Sequence, residues 1–210
     1  IGGKTSGEVT LENKIRLEGT QSEVDTALNG DSSVVASQTD TEANVTTAVN
    51  VSQGDAIGKV TKIKGIFTGG VKDSLSNLVT AGSSDTKLDT ITGDDSDVNI
   101  TIDDDAFSSS NATIAATHLS AVGATTTGAV TVSKAVKIVG SATELTNTLV
   151  SGTSTVTAST ALVTVNDAAF SSSNATIAAT VISNIGGKTS GAVTVSKAVK
   201  IVGSATQLTS

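Results

Sequence analysis

The stretch AFSSSNATIAATHLSAVGATTTGAVTVSKAVKIVGSATEL at residues 106–145 returns, nearly letter for letter, as AFSSSNATIAATVISNIGGKTSGAVTVSKAVKIVGSATQL at residues 169–208. A period of this size reads as a stack of small units, because a unit this short cannot bury its apolar face alone and must cover it with its neighbour. The block has older copies. GEVTLENKIRLEGTQSEVDTAL at 7–28 aligns without a gap on GAVTVSKAVKIVGSATELTNTL at 128–149, and a weaker copy, GKVTKIKGIFTGGVKDSLSNL, begins at Gly58. Residues 1–210 are thus expected to form one segment of a longer array: divergent units at 7–57 and 58–127, a regular 63-residue unit at 128–190, and the start of the next at 191–210. IGGKTSG at 1–7 repeats at 185–191, so neither end has the polar cap that closes such a stack, and a fragment of a longer protein is expected.

The phrase AVTVSKAVKIVG reads as an extended segment, with Val130, Val132, Val136 and Ile138 on one parity and Lys134 marking a corner. It ends at Gly140. Ser141 and Glu144 then form the S-x-x-E capping box of a helix start, followed by Leu145 and Leu149 at helical spacing. Thr20 with Glu23 and Ser204 with Gln207 keep the same logic in the sister copies. A second rung, TVTASTALVTVND, places Val156 and Ala158 on one parity and Ala161, Val163 and Val165 on the other, which requires a kink near Ser159 and Thr160. Ala178, Val181, Ile182 and Ile185 give a helical stripe closed by Gly186 and Gly187, while the SSSNAT segment before it reads equally as loop or short strand. Two rungs are therefore expected in each period. Strand followed by helix, with no Asn-Gly hairpin signal, predicts parallel pairing. The expected fold is a repeat solenoid of parallel β rungs with short helices, a β/α solenoid, with a pure β-helix as the alternative; an immunoglobulin-like array would need longer units with denser turn signals.

Composition agrees. The chain has three Phe and no Tyr, Trp, Met, Pro or Cys, so its core must be aliphatic and thin. Residues 1–105 carry 18 acidic against 8 basic side chains and residues 106–210 carry 2 against 5, giving the net charge of −7. An acidic chain without interleaved basic and aromatic residues does not suit nucleic acid, and no apolar run approaches the roughly 20 residues of a membrane span.

The candidate chemistry is one acidic patch, TGDDSDVNITIDDDAF, whose Asp94, Asp95, Asp97, Asp103, Asp104 and Asp105 are candidate ligands for Ca²⁺, a hard cation that takes six to eight oxygens. The duplicated unit has Thr157, Ala158, Thr160, Asn166, Asp167 and Ala168 there, so the fold does not need them all and a solvated acidic turn is the plainer reading. GGKTS lacks the first glycine of a Walker loop, Ile182 standing there. His118 is the single histidine, and its counterpart is Val181, so it reads as a partly buried spacer. Arg16, Lys137 and Lys200 share one unit position, and Lys134 and Lys197 another; they are either a column for acidic polysaccharide or solvated charge, the latter favoured. Sequons occur at Asn44, Asn99, Asn111 and Asn174. With no Cys and one His there is little for a nucleophile system to use, and no enzymatic activity is expected.

The phrases GAVTVSKAVKIVGSATEL, TASTALVTVNDAAF and ISNIGGKTSGAVTVS resemble the degenerate repeats of giant surface or secreted proteins of marine picocyanobacteria and other marine bacteria. The resemblance covers most of 90–210, and the acidic insert around Leu88–Asp97 departs from it. It implies an extracellular or cell-surface location and a structural or adhesive role as a stalk, fibre or surface layer, without catalysis. The expected partners are the chain itself, neighbouring repeats or surface polysaccharide. The alternatives are a phage tail-fibre shaft, a glycan-binding adhesin module and a self-assembling filament subunit.

Overall fold

The structure, a computed structural model, describes residues 8–30, 34–39, 41–108, 113–171 and 176–208. The IGGKTSG copy at 1–7, the sequons at Asn111 and Asn174 and most of both SSSNAT segments lie outside them. The chain divides into two compact units, residues 1–101 with 125–129 and residues 102–124 with 130–210.

The first unit runs β1 (Val9–Leu11), β2 (Arg16–Gly19), α1 (Gln21–Asn29), β3 (Val34–Ala36), β4 (Thr41–Val45), α2 (Val51–Gly58), β5 (Ile63–Ile66), β6 (Val71–Asp73), α3 (Leu75–Leu78), β7 (Val79–Thr80), β8 (Ser83–Ser84), α4 (Thr86–Asp94) and β9 (Ile100–Ile102). Parallel pairs join β1 with β3, β2 with β4 and β4 with β5. Fully buried Val45, Ile57, Leu78, Leu88 and Ile91, with Phe67 almost fully so, make the aliphatic core that composition required.

The second unit runs β10 (Ile114–Ala115), α5 (Ala116–Gly123), β11 (Val130–Val132), β12 (Lys137–Gly140), α6 (Ala142–Leu145) continued by a π-helical turn at Thr146–Val150, β13 (Val156–Thr157), β14 (Leu162–Val165), β15 (Ile177–Ala178), α7 (Ala179–Gly186), β16 (Val193–Val195), β17 (Ile201–Val202) and α8 (Ala205–Leu208). Its pairs, β10–β12, β12–β14, β14–β16, β11–β13 and β15–β17, are all parallel. Parallel strands alternating with short helices are therefore the architecture, and the helices set the pure β-helix aside. Lys134 does sit at a corner, the bend between β11 and β12, where the Val136 amide donates to its carbonyl. Ser159 and Thr160 form a full turn that breaks the expected kinked strand into β13 and β14.

Two expectations are corrected. The repeat period does not hold two rungs. Paired strands are separated by about one pass of the chain, as where Ile114 stands opposite Ile138 and Val163 opposite Val193, so one period makes about two and a half passes. Copies consequently change sheets: β11 pairs with β13, whereas its copy β16 joins the sheet of β10, β12 and β14; β12 lies in that sheet, whereas its copy β17 pairs with β15. Nor is every pair parallel, since β7 and β8 form an antiparallel hairpin across Ala81 and Gly82, both at positive φ (52° and 84°). Two left-handed residues match the twist of a two-residue hairpin, which is why Asn-Gly is the usual signal. Ala81 adopts the conformation without a side chain suited to it, at a cost of about 1–2 kcal/mol.

Ala81→Asn is accordingly expected to stabilise the first unit by about 1 kcal/mol, read as a higher urea midpoint with an unchanged slope. An unchanged midpoint would show that the hairpin does not contribute to global stability.

Candidate functional site

Many polar side chains of both units join one pass of the chain to the next. Three helices show how. Thr20 caps α1, Asn50 caps α2 and Ser141 caps α6, each closing a full capping box with Glu23, Gln53 and Glu144. A capping box satisfies the amides at N-cap and N3 but leaves the first helical amide open. That amide is taken by the residue in register with it on the following pass: Gln21 N–H donates to Thr47 Oγ1 at 2.9 Å, Val51 to Asp73 Oδ2 at 3.0 Å and Ala142 to Asp167 Oδ2 at 2.7 Å. Each helix start therefore needs two passes to be complete.

The corners are tied the same way. Hydroxyls donate backward to carbonyls of the preceding pass: Ser37 to Leu11, Ser133 to Ile102 and Ser196 to Val165. Thr126 and its repeat counterpart Thr189 donate to Val98 and Ala161, which are themselves counterparts one period apart. Lys134 and Lys197 repeat the pattern by donating to the carbonyls of Asp103 (3.4 Å) and Asn166 (3.2 Å). Lys197 remains exposed and Lys134 half-exposed while each ties a carbonyl of the preceding pass. Lys134 also lies 3.4 Å from the Asp103 and Asp105 carboxylates, and its pKa is raised by Asp105 first, then by Asp103. Lys137 and Lys200 stand over the rings of Phe107 and Phe170, 5.1 and 5.6 Å from the centroids.

The six candidate calcium ligands fall into two sets. In the first unit, Asp94 Oδ2 accepts from the Gly65 amide at 2.8 Å and Asp95 Oδ2 from the Phe67 amide at 2.6 Å. Gly65 lies on the free edge of β5 and Phe67 continues that edge just past the strand, so adjacent carboxylates stand where a further strand would pair. Asp95 is buried and faces Asp97; burial first, and the Asp97 carboxyl beside it, push its pKa up. Asp94 is also raised, by burial, against the opposing Gly65 amide and Lys64. In the second unit Asp103 and Asp105 face Lys134, and Asp104 is the repeat counterpart of Asp167. Among the described residues no group of three or more His, Asp or Glu is placed to hold a metal ion.

The remaining candidates find structural places. GGKTS follows a helix, with Gly186 ending α7, whereas a phosphate loop must lead into one. His118 is half-buried on α5, as its counterpart Val181 is on α7. Asn44 is buried in β4 and accepts from Thr68 Oγ1, so its sequon is not a surface acceptor; Asn99 is exposed, its Oδ1 taking the Ala129 amide. Sequence reading missed Thr47, Asp73 and Asp167. It also missed Asp55, a buried carboxylate of α2 that pairs with Lys59 at 2.7 Å. A signal for Asp167 was present, since it is the one acid of the patch that the duplicated unit keeps. Comparison with protein-family models, curated proteins and solved structures finds no match.

Two outcomes are expected from this geometry. Asp167→Ala should cost about 1 kcal/mol, with Asp167→Asn much closer to wild type because the amide oxygen still accepts, measured by chemical denaturation. Equal midpoints for all three would show that the cap from the next pass does nothing. The second concerns Asp95, whose folded pKa is raised above its unfolded value: its contribution to stability is fully present below the ordinary carboxylate range and is lost as pH rises through the folded value. Asp95→Asn keeps an acceptor for the Phe67 amide and should be more stable than wild type at pH 7 with a flatter pH profile; Asp95→Ala, which orphans that amide, should lose about 1–3 kcal/mol. Thermal melts from pH 4 to 8 read both.

Proposed function

We propose that this chain is a structural segment, a stalk, fibre or surface layer, of an extended extracellular repeat protein, and that it is built as a β/α solenoid. The observation that carries the reading is the use of its polar side chains. Thr47, Asp73, Asp167, Ser133, Ser196, Lys134 and Lys197 all bond the backbone of an adjoining pass. Side chains so placed support a repeating hydrogen-bonded ladder, in which stability is a sum of nearest-neighbour terms and units duplicate without redesign. The resemblance to giant repeat proteins of marine bacteria supports the extracellular setting. No reaction is assigned to the chain.

A tandem insertion of one further copy of residues 128–190 tests the stacking. Two and a half passes at about 4.8 Å each should lengthen the particle by about 12 Å in small-angle scattering, with an equal or higher melting temperature and unchanged per-residue circular dichroism. A separately melting or unfolded insert would sink the solenoid. Antibodies raised against the chain should label intact source cells or their surface material; labelling only after permeabilisation would count against the extracellular role.

A further inference from the structure

Asn29–Gly30 is the one Asn-Gly pair in the chain, and it stands at a helix end rather than between two strands. Asn29 is the last residue of α1 and is exposed. Its Nδ2 donates to Asp25 Oδ1, one turn back, at 2.9 Å. Gly30 caps the helix, and its amide donates to the Thr26 carbonyl at 3.2 Å. That closure dictates the glycine, because a Cβ at position 30 would collide with the Thr26 carbonyl oxygen. It does not dictate the asparagine. One residue past the aligned stretch of the copy at 128–149, Val150 stands at the corresponding place.

The pair holds both partners of a ring closure. When the Gly30 nitrogen attacks Asn29 Cγ, the N–Cγ bond forms, the Cγ–Nδ2 bond breaks, and ammonia leaves with the proton released from the Gly30 amide. Water then opens the five-membered imide at either carbonyl, leaving aspartate or isoaspartate at 29. Glycine is the most permissive second residue, since no side chain shields its nitrogen. The folded helix restrains both reactants: Thr26 holds the Gly30 amide, Asp25 holds Nδ2, and ring closure requires Asn29 to leave the helical conformation. The restraint is local. Asn29 and Thr26 are both exposed, and they lie in the last turn, where helices fray and opening is least costly.

We propose that Asn29 is a site of spontaneous, irreversible modification, deamidated when the last turn of α1 opens, and that each conversion loosens α1 from the first unit. The product does not fit where the asparagine did. Aspartate at 29 sets carboxylate against carboxylate across one turn from Asp25 and puts negative charge at the negative end of the helix dipole. No basic residue in the last turn of α1 offsets it. Isoaspartate lengthens the backbone by one methylene and takes the Gly30 amide off Thr26. Leu28, the neighbouring residue, is 4% exposed and is one of two buried side chains, with Val24, that fix α1 to the core. The reaction needs only water as co-reactant, so it stands apart from the structural role proposed above.

Ageing of the 210-residue chain in mildly alkaline buffer, followed by peptide mapping, tests it. Asn29 should convert ahead of the exposed Asn13, Asn77 and Asn99, which precede Lys14, Leu78 and Ile100, and enzymatic methyl transfer should detect isoaspartate at 29. Conversion should be several-fold faster in urea above the unfolding midpoint than in the native chain, because unfolding removes the restraint. The aged chain should have a lower urea midpoint, matched in direction by Asn29→Asp made directly. Asn29→Gln, whose longer side chain cyclises slowly, should keep its midpoint on ageing. A native Asn29 that stays intact while the urea-treated chain converts fully would overturn the modification site. Equal rates in native and urea-treated chain would overturn the control by the helix end, and a wild-type midpoint in Asn29→Asp would overturn the loosening of α1.

Discussion

The constraint on which the rest depends is the first amide of each capped helix. A capping box closes two of the donors that a helix leaves open at its start, and in α1, α2 and α6 the first helical amide is met only by the residue in register on the following pass. At these exposed to half-buried positions an amide left without that acceptor costs about 1 kcal/mol. Each helix start therefore fixes the register of the strand that follows it. The corner hydroxyls of Ser37, Ser133 and Ser196 fix the same register from the other end of the strand. This accounts for a composition rich in Ser, Thr and Asp at places where a globular domain would use larger side chains.

Register fixed locally also explains how nearly identical sequence can occupy different sheets. Because one period makes about two and a half passes, β11 and its copy β16 belong to different sheets, yet both set alternate valines against a parallel neighbour. The unit does not specify a sheet; it specifies its relation to the pass before and the pass after. Growth by duplication is compatible with that rule. The acidic segment departs from it: Asp94 and Asp95 occupy the edge amides of Gly65 and Phe67 where a further strand would pair.

Much of this was legible in the sequence, and the failures have physical causes. The Ser141–Glu144 and Thr20–Glu23 boxes, the corner at Lys134 and the alternating parities of Val156 and Val163 were readable because each depends on residues close together in the chain. The roles of Thr47, Asp73 and Asp167 were not, because their partners are 22 to 26 residues away and only the register brings them together. The hairpin at Ala81 and Gly82 was missed because Ala is a poor left-handed residue, tolerated here by its context. That Asn44 is buried was not legible either, because local polarity gives no sign that β4 is covered on both faces.

What the sequence determined by itself is the period, the aliphatic core, the alternation of strand and helix and the helix starts, since all of these follow from local spacing and from chain self-similarity. What only the tertiary structure decided is which strand adjoins which, that a period makes about two and a half passes, and that Asp73, Asp94, Asp95 and Asp167 accept from backbone amides. Those depend on the length of each return path, which sums many loop residues, and a small difference in that sum moves a strand to another sheet.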